Sequence, residues 1–186
     1  MVESIIQKDK QLLIYLNNLG SEQWDGLWLA ITNQFNWIPL FIFMLFLIFK
    51  HHGWKKGLFT MLFLAALITF SDQITNVIRG VFERLRPNND PAIKDSLRTL
   101  IRPQSYSFTS GHATTSTVAA VFIIMLLKNH VRYIKFLVLF PLVFAYSRLY
   151  LGVHFPIDIL CGFINGITIG LLAYILHKAL SKKIFN

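Results

Sequence analysis

Residues 57–87 read GLFTMLFLAALITFSDQITNVIRGVFERLRP. The apolar run from Gly57 to Ile78 is near the ~20 residues that cross a bilayer, and it delivers Arg79, Arg86 and Pro87 to its end. Charged side chains at membrane depth are costly, so a cluster of them marks function by default. Asp72, Asn76, Arg79 and Glu83 recur at helical spacing along this run. They form a polar stripe expected to face the bundle interior and to position Arg79. The plain alternative leaves Asn76 and Glu83 merely interfacial.

Outward from this stretch the pattern repeats. Further apolar runs cover about 27–49, 112–127, 131–147 and 156–176. The fold class expected is all-α: a polytopic membrane helical bundle with about five or six transmembrane helices, in one membrane-embedded domain over residues 1–186. Asn33, Gln34 and Asn36 place the early half of the 27–49 run against protein or the interface, and Trp24, Trp28 and Trp37 suit an interfacial belt. Residues 1–20 carry Ile5, Ile6, Leu12, Leu13, Leu16 and Leu19 at roughly helical spacing around Lys8, Asp9 and Lys10. This is an amphipathic helix, on the membrane surface or packed on the bundle. It lacks the small-residue cleavage site of a signal peptide. Gly162, Gly166 and Gly170 repeat every fourth residue and would let a neighbouring helix approach closely. Residues 80–108 make the one long loop.

The chain has 186 residues, 54% of them hydrophobic and 17 of them Phe, with a net charge of +9. The basic residues fall in short clusters between apolar runs and not along one polar face, so no nucleic-acid partner is expected. Anionic lipid and membrane orientation account for the charge. The lone Cys161 sits in an apolar run as packing. Five spans put Arg79, His112, Arg148 and His154 on one side of the membrane. The other side holds Lys50, Lys55, Lys56, Lys128, Arg132, Lys135, Lys178, Lys182 and Lys183 and no acid. With the motif-side arginines committed to a site, the acid-free side is expected in the cytoplasm.

Three segments carry chemistry: Arg79-x6-Arg86-Pro87, Ser110-Gly111-His112 and Ser147-Arg148-x5-His154-x3-Asp158. Arginine forks match phosphate oxygens bidentately. One such arginine would read as snorkelling; three on one side read as a phosphate site. Ser110 and Gly111 open a helix whose N-terminal amides can cup an anion. His112 can protonate a leaving oxygen. Asp158, four residues past His154, can fix one ring nitrogen and leave the other free to attack phosphorus. Gly152 permits the turn that returns Arg148 to His154. His112, His154 and Asp158 could instead ligate zinc, but three arginines would repel the cation. His51, His52, His130 and His177 fall on the other side and read as interfacial or loop residues.

Together the three segments resemble the signature of the type 2 phosphatidic acid phosphatase superfamily, the lipid phosphate phosphatases. Two positions depart from it: Arg79 stands at the usual lysine and Thr109 at the usual proline before Ser110. The resemblance implies a helical-bundle phosphatase with no cofactor and no metal. It further implies that His154 is the nucleophile, Asp158 its orienting partner and His112 the general acid. Arg79, Arg86, Ser110, Gly111 and Arg148 would bind phosphate.

The substrate expected first is undecaprenyl diphosphate, then phosphatidylglycerol phosphate or phosphatidic acid, with a lipid A phosphatase as a third reading. Lipid-to-lipid phosphate transfer through the same phosphohistidine is an alternative activity. A vanadium haloperoxidase is disfavoured by the membrane spans, and a transporter by the intact nucleophile and acid. The partners implied are a lipid phosphate and the bilayer. The location implied is a bacterial inner (cytoplasmic) membrane, with the site facing the periplasm or exterior.

Overall fold

A computed structural model describes residues 2–185. They form six α-helices joined by short 3-10 turns, with no strand among them. α1 spans Val2–Asn18, α2 Glu22–Thr32, α3 Ile38–Phe82, α4 Gly111–Leu127, α5 Leu139–Tyr150 and α6 Pro156–Phe185. Residues 34–89 and 156–185 are long and apolar enough to cross a membrane, and α4 is a shorter apolar helix.

The expected run over 27–49 is not one helix. Asn33 ends α2 in extended geometry and its side chain accepts from the Phe35 amide. A 3-10 turn over Gln34–Trp37 follows before α3 starts with Pro at its head. α3 itself breaks at Gly53, whose φ of 71° suits a residue without Cβ. The chain folds back there, and Phe49 lies where a Cβ on Gly57 would stand, 2.6 Å away. α3 is therefore a hairpin of two arms, 38–52 and 54–82. The run over 131–147 begins as a 3-10 turn at Ile134–Val138 before α5.

α4 lies at the centre and is packed closely against α6. Cβ atoms added at Gly162, Gly166 and Gly170 would fall within 2.6–3.1 Å of α4 atoms, so the glycine repeat seats α6 on its neighbour in the same bundle. Between the helices a core gathers Ile48, Phe122, Leu127, Phe140 and Phe144. Side chains facing away from the bundle are apolar as well, including Ile42, Phe43, Phe46, Leu62, Phe70, Leu160, Ile164 and Leu172. Lipid tails are as apolar as these side chains, so helix association rests on close fit and buried polar contacts.

α1 docks on the bundle through Asp9, Leu13 and Asn17, while Ile5, Ile6, Leu12 and Leu19 stay exposed. Leu13 thus belongs to the protein interior and not to a membrane-facing stripe. The Asn17 amide donates to the carbonyls of Arg98 and Tyr150 and accepts from the Arg98 amide. At the opposite end, in the α3 turn, His51 stacks on His130 and His52 meets the same ring edge-on, with ring centroids 5.3 and 5.4 Å apart. His177 is buried, not interfacial, and bonds Thr60 at 2.9 Å.

Candidate active site

Local rules bring the motif residues together. α5 ends in a Schellman turn: the Gly152 amide donates to Leu149 O and the Val153 amide to Arg148 O. Gly152 takes φ 65° there. The turn folds His154 back beside Arg148. Pro156 then starts α6, and Asp158 reaches back to accept from the Phe155 amide at 2.9 Å, as a third helical residue does in a capping box. That same Oδ2 is 3.4 Å from His154 Nδ1.

Arg86 donates from Nη1 to His154 Nε2 at 3.0 Å and to Val153 O at 2.9 Å, while Nε and Nη2 hold Ser105. A guanidinium only donates, so Nε2 is the unprotonated nitrogen. The proton sits on Nδ1, toward Asp158. Arg79 donates from Nε to Thr109 O at 3.1 Å and from Nη1 to Asn76 Oδ1 at 3.2 Å; Asn76 in turn donates to Asp72 at 3.1 Å. Three members of the polar stripe are thus one hydrogen-bonded chain. Glu83 is not part of it: it caps the end of α3 in the left-handed region and is exposed.

Ser110 is the N-cap of α4, its Oγ accepting from the Ala113 amide at 3.4 Å. Gly111 lets the Arg79 fork approach closely: a Cβ there would stand 3.0 Å from Arg79 Nη2. The Arg79 fork therefore lies across the α4 N-terminus. Thr109 is buried and its hydroxyl has no protein partner. His112 packs its ring on Phe144 at 4.7 Å. Arg148 donates to the Thr32 hydroxyl, and its Nε is unpartnered.

Arg86, Arg148, His154 and Asp158 are each at most 5% exposed. Yet Arg79, Arg86, Gly111, His112, Arg148 and His154 all line one cavity of about 1040 Å³. Its polar end is this cluster. Its other end runs between the α3 arms, α4 and α5 and is lined by Phe41, Met44, Leu45, Ile48, Met61 and Leu64. Of the sequence-derived set, Ser110 and Asp158 do not line the cavity; they sit just behind it. Zinc ligation does not suit these donors, since Asp158 is bonded to Arg84 and the Phe155 amide and His154 Nε2 faces Arg86.

The roles of three residues escaped the sequence reading. Arg84 Nη1 donates to Asp158 Oδ1 and its Nη2 to Asp9 Oδ2, both at 2.7 Å. Asp9 was one charge among four on α1, but Asp9, Leu13 and Asn17 at four-residue spacing are the signal of a helix docked by a mixed face. Thr32 was likewise hidden inside an apolar run. Its helix, α2, is pinned by Asp25: the hydrogen bond from Tyr150, ahead of that from Arg98, holds the Asp25 carboxyl below its ordinary value.

The family model that matches is that of the PAP2 superfamily, over residues 56–182. A lipid A 4'-phosphatase of Bacteroides thetaiotaomicron is 35% identical over 184 residues, covering 96% of this chain and 81% of that protein. A lipid A 4'-phosphatase of Porphyromonas gingivalis is 29% identical over 176 residues, covering 93% and 74%. Among solved structures, a transmembrane PAP2-type phosphatidylglycerolphosphate phosphatase from Bacillus subtilis superposes with a TM-score of 0.71 at 22% identity, covering 98% of this chain and 90% of that one.

Proposed function

The chain belongs to the PAP2 superfamily of metal-independent membrane lipid phosphatases, and within it we propose that this member removes a phosphate monoester from a lipid A-type glycolipid. The sequence alone ranked undecaprenyl diphosphate first. The relatives that are lipid A 4'-phosphatases support the glycolipid instead.

The observation that carries this reading is the cavity lining beside the arginines. Thr69, Asp72, Thr115 and Ser116 line the same cavity, and among the described residues Arg79, Arg86 and Arg148 are the only arginines or lysines in the lining. A sugar offers hydroxyls to such a wall. A diphosphate would set its second phosphate near Asp72 with no further arginine or lysine to neutralise it. The apolar end of the cavity suits acyl chains.

In the reaction, the three arginines neutralise the phosphoryl oxygens. His154 Nε2 attacks phosphorus as the bond to the sugar oxygen breaks, and His112 gives that oxygen its proton. Asp158 holds Nδ1–H and balances the ring's growing positive charge. Water then attacks the phosphohistidine, loses its proton to His112, and releases phosphate and neutral His154.

The layout supports five crossings, by the two α3 arms, α4, α5 with its preceding turn, and α6. In a bacterial inner membrane the site would face the periplasm or exterior. The test is phosphate release in detergent with EDTA from lipid A, undecaprenyl diphosphate and phosphatidic acid. The expected outcome is the highest kcat/KM on lipid A, none with His154→Ala, and a relative gain on the diphosphate with Asp72→Asn. A higher kcat/KM on undecaprenyl diphosphate would overturn the substrate assignment.

A further inference from the structure

We propose that Asp9, on the amino-terminal helix, is a positioning residue for phosphoryl transfer: it orients Arg84, and through Arg84 the Asp158–His154 pair. The inference rests on His154 being the nucleophile.

Asp9 is 4% exposed although it is only the eighth residue of the amphipathic α1. A buried carboxylate needs partners, and both of its oxygens have one. Oδ2 takes Arg84 Nη2 at 2.7 Å and Oδ1 takes the Ile157 amide at 2.9 Å. Arg84 spans two carboxylates with its fork, Asp9 on one tip and Asp158 on the other. Its guanidinium also lies 3.8 Å over the Phe155 ring, on the residue that joins His154 to α6. Phe155 has no side-chain oxygen with which to cap α6, so Asp9 satisfies the Ile157 amide from another helix. Asp9 thus grips both the start of α6 and the arginine that holds its orienting carboxylate.

The consequence is a geometric one. Asp158 must keep Oδ2 on both the Phe155 amide and His154 Nδ1. Arg84 prevents it from turning by holding Oδ1. Arg84 keeps that pose only while its second tip is anchored, because one hydrogen bond leaves a planar fork free to pivot. Small misplacements of a reacting group cost far more in rate than in binding.

Asp9→Asn separates this role from plain stability. The amide oxygen still accepts from Ile157, but its NH2 then meets the Arg84 N–H groups, donor against donor. The expected result is a folded enzyme whose kcat falls about 10- to 100-fold, with KM within about threefold. Asp9→Glu, which restores the charge, should recover most of the loss. In an Asp158→Asn background, Asp9→Asn should have little further effect. If Asp9→Asn does not accumulate, Arg84→Lys reads the same link, since a lysine cannot span both carboxylates, and its kcat should fall similarly. Normal kcat in folded Asp9→Asn or Arg84→Lys, or an undiminished Asp9→Asn effect beside Asp158→Asn, would overturn the positioning role. Rapid quenching into alkaline detergent, in which a phosphohistidine survives, separates the two readings. A wild type that forms no phosphohistidine overturns both, whereas one that forms it while Asp9→Asn turns over normally overturns the role of Asp9 alone.

Discussion

At the scale of single residues, Arg79 shows why an arginine works where the family's usual residue is lysine. Nε and Nη1 are spent on Thr109 O and Asn76, and Nη2 still lies over Gly111 at the α4 N-terminus. A lysine has the charge but not the fork. Arg79→Lys is expected to keep substantial activity, at a cost of ~1–2 kcal/mol, roughly 5–30-fold in rate. Arg79→Ala should be far worse, because in the proposed mechanism the developing phosphoryl charge would lose one of its three partners. Asp72 reaches Arg79 through Asn76. Asp72→Ala should therefore lower activity, and that effect should nearly vanish beside Arg79→Ala. Four kcat/KM values on phosphatidic acid, whose leaving group has no sugar, measure the cycle. Additive losses would show that the two residues act apart.

At the scale of elements, the α4–α6 seam carries the site's precision. α4 brings Ser110, Gly111 and His112, α6 brings Asp158, and the Ser110 amide donates to Asp158 O at 3.1 Å where the helices meet. A Cβ at Gly166 would lie 2.8 Å from Thr114 O and 2.6 Å from Thr117 Cβ, both on α4. Backbone cannot swing away as a side-chain tip can. Gly166→Ala should push the helices apart, lower stability by about 1–3 kcal/mol and reduce kcat together with it. Thermal unfolding in detergent and turnover of the same preparation check this. An unchanged Tm would mean the seam is looser than its glycines require.

At the scale of the whole molecule, the two ends differ in kind. The site end mixes acids with arginines in bonded networks. The far end gathers the α3 turn, His130 and the α6 terminus, where Lys56 lies over the Phe185 ring, and its charged residues are basic. By the positive-inside rule that end is expected in the cytoplasm. In a Cys161→Ser background, Lys94→Cys in the long loop should react with an impermeant maleimide on intact spheroplasts. Lys182→Cys should react only after permeabilisation. The reverse pattern would invert the orientation and put the site inside the cell.

Much of this was determined by the sequence itself. Apolar run lengths dictate an all-helical bundle, because in lipid a backbone must satisfy its own hydrogen bonds. The motif spacings name His112, His154, Asp158 and the three arginines because helical period and the Gly152 turn are local properties of the chain. The glycine repeat likewise announces a close helix contact, though not with which helix. The tertiary structure alone decided the rest. It split the first run at Asn33 and folded α3 back at Gly53, since backbone breaks depend on what each arm packs against. It put Glu83 outside the polar stripe by ending the helix there. It buried His177 against Thr60. And it joined Asp9 to Arg84 and Ile157, residues 75 and 148 positions away. A charge on an amphipathic helix has no mark of its partner until the fold brings one within hydrogen-bonding distance.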